Sequence, residues 1–202
     1  MTVQELFARS ALFAALARWM RCGEGPGPLA SEVPPGWDGV LRGIAARPQE
    51  EYSRLLGGTG VCPDGEISYR TRMPGGTILA DIAGFYRAFG FPYPEGGDEK
   101  PDHIATELEF VAFLLAKEAR ALVSQETEAV DVVQKARRAF LTDHLATWIG
   151  GLAAALRRHA PDDLRTAAAQ AAAQAVAEDV PVEAPSAGEP DATEFQCGGL
   201  CR

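Results

Sequence analysis

Apolar residues recur along this chain at the three- and four-residue spacing of helices. Leu6, Phe13 and Met20 lie seven apart with Leu16 on the same face, while Arg9, Arg18 and Arg21 fall toward water. That pattern predicts a packed first helix from Val3 to Met20, too short and too weakly basic to favour a membrane-surface segment. Glycines and prolines then make a loop of residues 23–36. Trp37, Val40, Leu41 and Ile44 share one face of a second helix. Pro48 suits the opening of a third, with Glu50 and Glu51 at its positive end and Gly57, Gly58 and Gly60 stopping it. Ile78, Ile82, Phe85 and Phe89 form the next stripe, flanked by Leu79 and Tyr86, and Gly90 and Pro92 break it. Core packing is the expectation for Tyr86, although its phenolic end can stay exposed for peptide recognition.

The longest pattern begins after Pro101. Ile104, Leu108, Leu115, Ala119 and Leu122 line one stripe, with Val111 and Ala112 between them. Asp102 is expected to cap this helix, and His103 to sit at an exposed junction. Ser124 and Gln125 mark an interruption. Leu141, Leu145, Trp148, Leu152 and Leu156 then form a second long stripe, with Trp148 expected in the core and His144 as a structural histidine bonded to a neighbouring helix. Asp162 and Asp163 open a final alanine-rich helix. From Pro181 the pattern gives way to Pro, Ala, Gly, Glu and Ser, predicting a flexible tail over 181–202. The expected fold is all-α: a single helical domain, or two closely packed helical lobes (1–91 and 104–180) joined by a hinge near residues 92–103.

Composition narrows the function classes. At 202 residues with 47% hydrophobic content the chain can bury a sizeable core without staples. A formal charge of -9 gives no basic footprint for nucleic acid, and would instead attract a cationic partner such as an arginine-bearing peptide. No run of 18 apolar residues and no basic region followed by an apolar core and cleavage site is visible, so neither membrane insertion nor export is expected. Cys22 and Cys62 are isolated and Cys197 and Cys201 form C-x3-C, which fits a reducing compartment and leaves a terminal disulfide open.

Catalytic signals are thin. Asp102 and His103 lack a G-x-S-x-G elbow, and Glu107 and Glu109 are two residues apart and point in different directions on a helix. The loop through Glu95, Asp98, Glu99 and Asp102 is acidic, yet without the EF-hand spacing it reads as a solvated connector. The glycines after Leu56 lack a phosphate-loop arrangement. No metal or cofactor is assigned. A binding protein with an apolar groove between helices leads, ahead of a helical enzyme with an acid and histidine centre at the hinge and of a non-catalytic helical dimerisation protein.

The run PDHIATELEF followed by VAFLLAKEARAL, over 101–122, resembles the hinge and following helix of the TorD/DmsD/NarJ family of molybdoenzyme-dedicated chaperones. FLTDHLATWIGGLAAALRRH is similar to that family's late Phe-Leu-x-x-His-Leu-x-x-Trp segment, and Tyr52 to Gly60 to its tyrosine-containing helix and glycine loop. The resemblance extends from about Tyr52 to Trp148 and departs at Cys62 to Tyr69, where many relatives carry a Pro-Tyr-Glu-Ser-type run. It implies an all-helical cytoplasmic chaperone, monomer or homodimer, that binds the leader or N-terminal region of a molybdopterin oxidoreductase catalytic subunit and assists its cofactor insertion and its assembly or export. On that reading Tyr52 and Tyr86 are groove candidates, Asp102 orders the hinge and adds charge, and His103 contacts the client or positions the loop. Glu95, Asp98 and Glu99 would meet the client's arginines.

Overall fold

The computed structural model describes residues 1–21, 33–48, 52–57, 60–93 and 100–180. Within these the fold is all-α, as the periodicity predicts, with no strand among the described residues. The expected tail over 181–202, with Cys197 and Cys201, lies outside the described residues, as do Cys22, Glu50, Glu51, Glu95, Asp98 and Glu99.

Helix α1 (Val3–Trp19) opens with a reciprocal cap, in which the Thr2 hydroxyl accepts from the Glu5 amide at 3.2 Å and the Glu5 carboxylate accepts from the Thr2 amide at 2.7 Å. Its apolar face packs chiefly along α5 (Ile104–Val123), where the Ser10 hydroxyl donates to the Ala112 carbonyl at 2.8 Å. Arg9 corrects the sequence reading. It is buried rather than turned to water, and its guanidinium donates to Glu178 at 2.7 Å, to Asp179 at 3.2 Å and to the Ala175 carbonyl at 2.6 Å. Position 9 lies on the same stripe as Leu6 and Phe13. Its partners, some 170 residues further along the chain, are invisible to a local pattern. In α2 (Trp37–Ala45), Trp37, Leu41 and Ile44 are buried as expected, whereas Val40, at the edge of that stripe, is exposed.

The short α3 (Tyr52–Leu55) is followed by a single 3-10 turn at Glu66–Ser68 and then by α4 (Gly75–Phe89), which Gly90 ends in the left-handed conformation at φ 65°. Aromatic rings join α4 to its neighbours. Tyr86 lies 4.8 Å from Phe110 of α5, and Phe85 meets Phe140 edge-on at 5.4 Å. Gln125, at φ 57°, turns the chain from α5 into α6 (Thr127–Phe140).

A π-helical turn, Leu141–Leu145, then links α6 to α7 (Ala146–His159) without a break. This run, Thr127–His159, is long and apolar enough by length and composition to cross a membrane, but 56% of its most apolar window is buried inside the fold. Buried Arg137 and His144 also lie within it, and we read it as a core helix. The final α8 (Leu164–Asp179) is capped by Asp163, which accepts from the Arg165 amide at 2.8 Å. Ala168, Ala169, Ala172 and Ala175 are fully buried, and residues this small let α8 lie close against α7 and α1.

Candidate functional site

The approach to α5 gathers the polar residues of the chain's middle. Gly65 and His103 form an isolated antiparallel bridge: the Glu66 amide donates to the Asp102 carbonyl at 3.0 Å and the Ile104 amide to the Asp64 carbonyl at 2.9 Å. A Cβ on Gly65 would stand 2.6 Å from Asp102 Oδ2, so glycine permits this approach.

Two expectations are corrected at this junction. His103, not Asp102, caps α5, its Nδ1 accepting from the Ala105 amide at 3.1 Å, and it is buried rather than exposed. Asp102 turns inward and accepts from the Ile67 amide at 3.1 Å, fixing the 3-10 turn instead of the helix. Both residues suit a cap by type, so sequence alone favours the better-known capping side chain.

Because His103 Nδ1 is an acceptor, the neutral ring carries its proton on Nε2. That nitrogen lies 2.9 Å from the Tyr52 hydroxyl, which in turn donates to Asp64 Oδ2 at 3.1 Å. A continuous relay therefore ties α3, the loop before the 3-10 turn and the start of α5. Burial acts to raise the Asp64 carboxyl, but His103 and the Tyr52 hydroxyl outweigh it and hold the group below its usual value. The Arg165 guanidinium lies 5.2 Å from the Tyr52 ring centre, linking α8 to the same point.

Beneath the relay, Glu66, Asp102 and Glu107 are all fully buried. Glu66 accepts from Arg70 and from His144 Nδ1 at 3.0 Å, while Glu107 accepts from the Trp148 indole at 3.2 Å. Burial, reinforced by the Glu66 charge, pushes the Glu107 carboxyl well above its usual range. Burial also raises Asp102, against the opposing hydrogen bond from Ile67. Glu107 Oε1 has no hydrogen-bond partner as an acceptor; a proton on it converts an orphaned acceptor into a donor.

Of the residues singled out in sequence, Tyr52, Asp102 and His103 converge here. Tyr86 comes close, its hydroxyl donating to the Pro101 carbonyl at 2.8 Å while its ring stays in the core. Asp64, Glu66, Glu107 and His144 were not among the site candidates. Glu66 and Asp64 sit in the run that departs from the family pattern, and a buried carboxylate leaves no periodic trace. Chemically the assembly holds a shape: both ring nitrogens of His103 are engaged, and no group of three or more His, Cys, Asp or Glu among the described residues is placed to hold a metal ion.

The nitrate reductase delta subunit family model matches residues 45–154, more than half of the chain, and that span contains the whole relay and the carboxyl cluster beneath it. The chain is 39% identical over 72 residues to the perchlorate reductase assembly chaperone protein of Dechloromonas aromatica (strain RCB), covering 36% of this chain and 31% of that one. It is 39% identical over 72 residues to the chlorate reductase assembly chaperone protein of Ideonella dechloratans, and 38% identical over 72 residues to the selenate reductase assembly chaperone protein of Thauera selenatis. Each of these matches covers 36% of both chains. The match thus spans about a third of the length of these curated relatives. No solved structure matches the chain. With its all-helical fold and the matched span in agreement, the chain belongs to the nitrate reductase delta subunit family, within the TorD/DmsD/NarJ-like chaperones of redox enzyme maturation.

Proposed function

We propose that this protein is a dedicated cytoplasmic chaperone for the catalytic subunit of a molybdopterin-containing oxidoreductase. It binds the leader or N-terminal region of that subunit and holds it while the cofactor is inserted. The observation that carries the reading is the family match across residues 45–154, which contains the Tyr52, Asp64 and His103 relay in full. Nitrate, perchlorate, chlorate and selenate reductases are the enzymes in the names of the family and these relatives. An oxyanion reductase is accordingly the client class.

In this reading the relay sets the angle at which the chain enters α5, Asp102, buried and bonded to the Ile67 amide, orders the hinge rather than adding charge, and Glu95, Asp98 and Glu99 meet the arginines of a basic leader. Tyr52 and Tyr86 brace the groove. The buried ends of His103 and Tyr86 support positioning roles rather than direct contact. An acid and histidine enzyme centre would need a ring nitrogen available to substrate, and the engagement of both nitrogens of His103 favours the binding reading.

The test is capture from the native host's extract by the tagged full chain, with partners identified by mass spectrometry. Enrichment of one molybdopterin oxidoreductase catalytic subunit, reduced in His103→Ala and Asp102→Ala, is the expected result. No such subunit captured, from cells expressing those enzymes, would remove the assignment.

A further inference from the structure

Glu66 and Glu107 are both wholly out of water, and their carboxyls lie within hydrogen-bonding reach of each other. Their other partners agree with that placement. Glu66 lies 3.0 Å from His144 Nδ1 and Glu107 accepts from the Trp148 indole at 3.2 Å, and His144 and Trp148 stand one turn apart on the run from α6 into α7. Asp102, itself fully buried, faces Glu107 from the entry to α5, with Lys100 acting on Asp102 from the loop before it, and Tyr86 faces Glu107 from α4. Arg70 is committed to Glu66 and to the Asp143 carbonyl at 2.8 Å, and His144 has Asp81 of α4 at 3.3 Å from Nε2. Glu107 Oε1 finds no donor. Two ionised carboxylates side by side repel, whereas a neutral carboxyl hydrogen-bonds to an ionised one. The two sides are also unequally anchored. Glu107 sits in the first turns of a 20-residue helix packed on α1 and α6, while Glu66 opens a three-residue turn. That turn is joined to the start of α5 by the Glu66 amide on the Asp102 carbonyl at 3.0 Å and the Ile67 amide on the Asp102 carboxylate at 3.1 Å.

We propose that this pair is a one-proton latch: neutral Glu107 donates through Oε1 to the Glu66 carboxylate and holds the 3-10 turn on α5, and loss of that proton to water releases the turn and opens the bridge ahead of α5. The short turn, not the long helix, is the part that moves. The closed state carries the proton, and the open state, with Glu107 solvated, loses it above about pH 4.3. Opening therefore grows about tenfold per pH unit from there and levels off once Glu107 ionises in place, a point that burial and the Glu66 charge push upward. The latch belongs to the fold and does not rest on the chaperone reading.

The test is amide hydrogen exchange of the full chain between pH 5 and 7, corrected for the intrinsic pH dependence of exchange. In the wild type the amides of Glu66, Ile67 and Ile104 are expected to be roughly tenfold or more less protected than those of Leu114 and Leu115 in mid-α5, and to lose about tenfold in protection per pH unit. Glu107→Gln keeps a donor toward Glu66 and has no proton to lose, so its junction protection is expected to stay level with pH. Equal protection at the junction and in mid-α5 would assign the proton to global unfolding and overturn the latch. A pH dependence that survives in Glu107→Gln would pass the switch to His144 or Asp102 and overturn it as well. The pairing itself is read by ¹³C NMR of labelled glutamate carboxyls. Glu66→Gln keeps an acceptor for Arg70 and removes the charge, and is expected to bring the Glu107 titration to lower pH than in the wild type. An unmoved Glu107 midpoint in Glu66→Gln, or a wild-type Glu107 titrating at the ordinary value of about 4.3, contradicts the shared proton, and the wild-type titration decides this even where a variant does not fold.

Discussion

Glu107 shows how a single buried carboxyl sets a pH dependence. Burial first, and the Glu66 charge second, favour its protonated form in the folded protein. In the unfolded chain it ionises near pH 4.3, so between that value and its raised folded value the native state holds a proton that the unfolded state has lost. Its contribution to stability is complete below about pH 4.3 and declines as pH rises toward the folded value. Glu107→Gln, which mimics the protonated side chain, should therefore flatten the neutral and alkaline fall in stability. Glu107→Ala should cost roughly 2–3 kcal/mol through the lost indole bond and the cavity. Urea denaturation across pH 5 to 9 reads both. Asp64 has the opposite sign. Its lowered value supports the fold above about pH 3.9, and that support is lost as pH falls through the depressed folded value, so Asp64→Asn should lower stability throughout pH 5 to 9 and converge with the wild type when the series is extended into acid.

At the scale of elements, the stripes of α1, α4, α5 and α7 were legible because burial repeats with the helical period, and α8 through its acidic opening and its alanines. The junctions were not. Asp102 and His103 exchanged roles because the amides they serve, Ile67 and Ala105, are chosen by a loop that pairs with residues 64–66, and no local pattern encodes that pairing. Gly65 is the residue on which the junction depends. Gly65→Ala would drive a Cβ into the buried Asp102 carboxylate, which its bond to Ile67 keeps from yielding. The expected cost is roughly 1–3 kcal/mol, with the amides of Glu66 and Ile104 losing protection in hydrogen exchange before those of mid-α5. Unchanged protection there would show that the bridge does not organise the hinge. Of the candidate site, Tyr52, Asp102 and His103 were legible as types at a junction. Asp64 and the carboxyls beneath were hidden because a buried acid and a surface acid look alike in sequence.

Over the whole molecule, α1 and the end of α8 are held together by charge. Arg9 of α1 grips Glu178 and Asp179 at the end of α8, while Arg137 of α6 pairs with Glu118 of α5 at 3.2 Å. Arg9 is the buried member, while Glu178 is partly exposed and Asp179 keeps Arg137 at 3.8 Å, so Arg9→Ala should cost roughly 1–3 kcal/mol through the lost charge-assisted bonds, including that to the Ala175 carbonyl, and loosen the last turns of α8 first, as hydrogen exchange of Val176 and Asp179 would report. A dedicated chaperone is one without which its client does not mature. The deciding quantity is molybdenum per catalytic subunit of the captured oxidoreductase, purified from cells with and without this protein. A subunit that accumulates without molybdenum, and regains it when the wild-type chain is restored, is the predicted result; full molybdenum content in its absence would contradict the assignment.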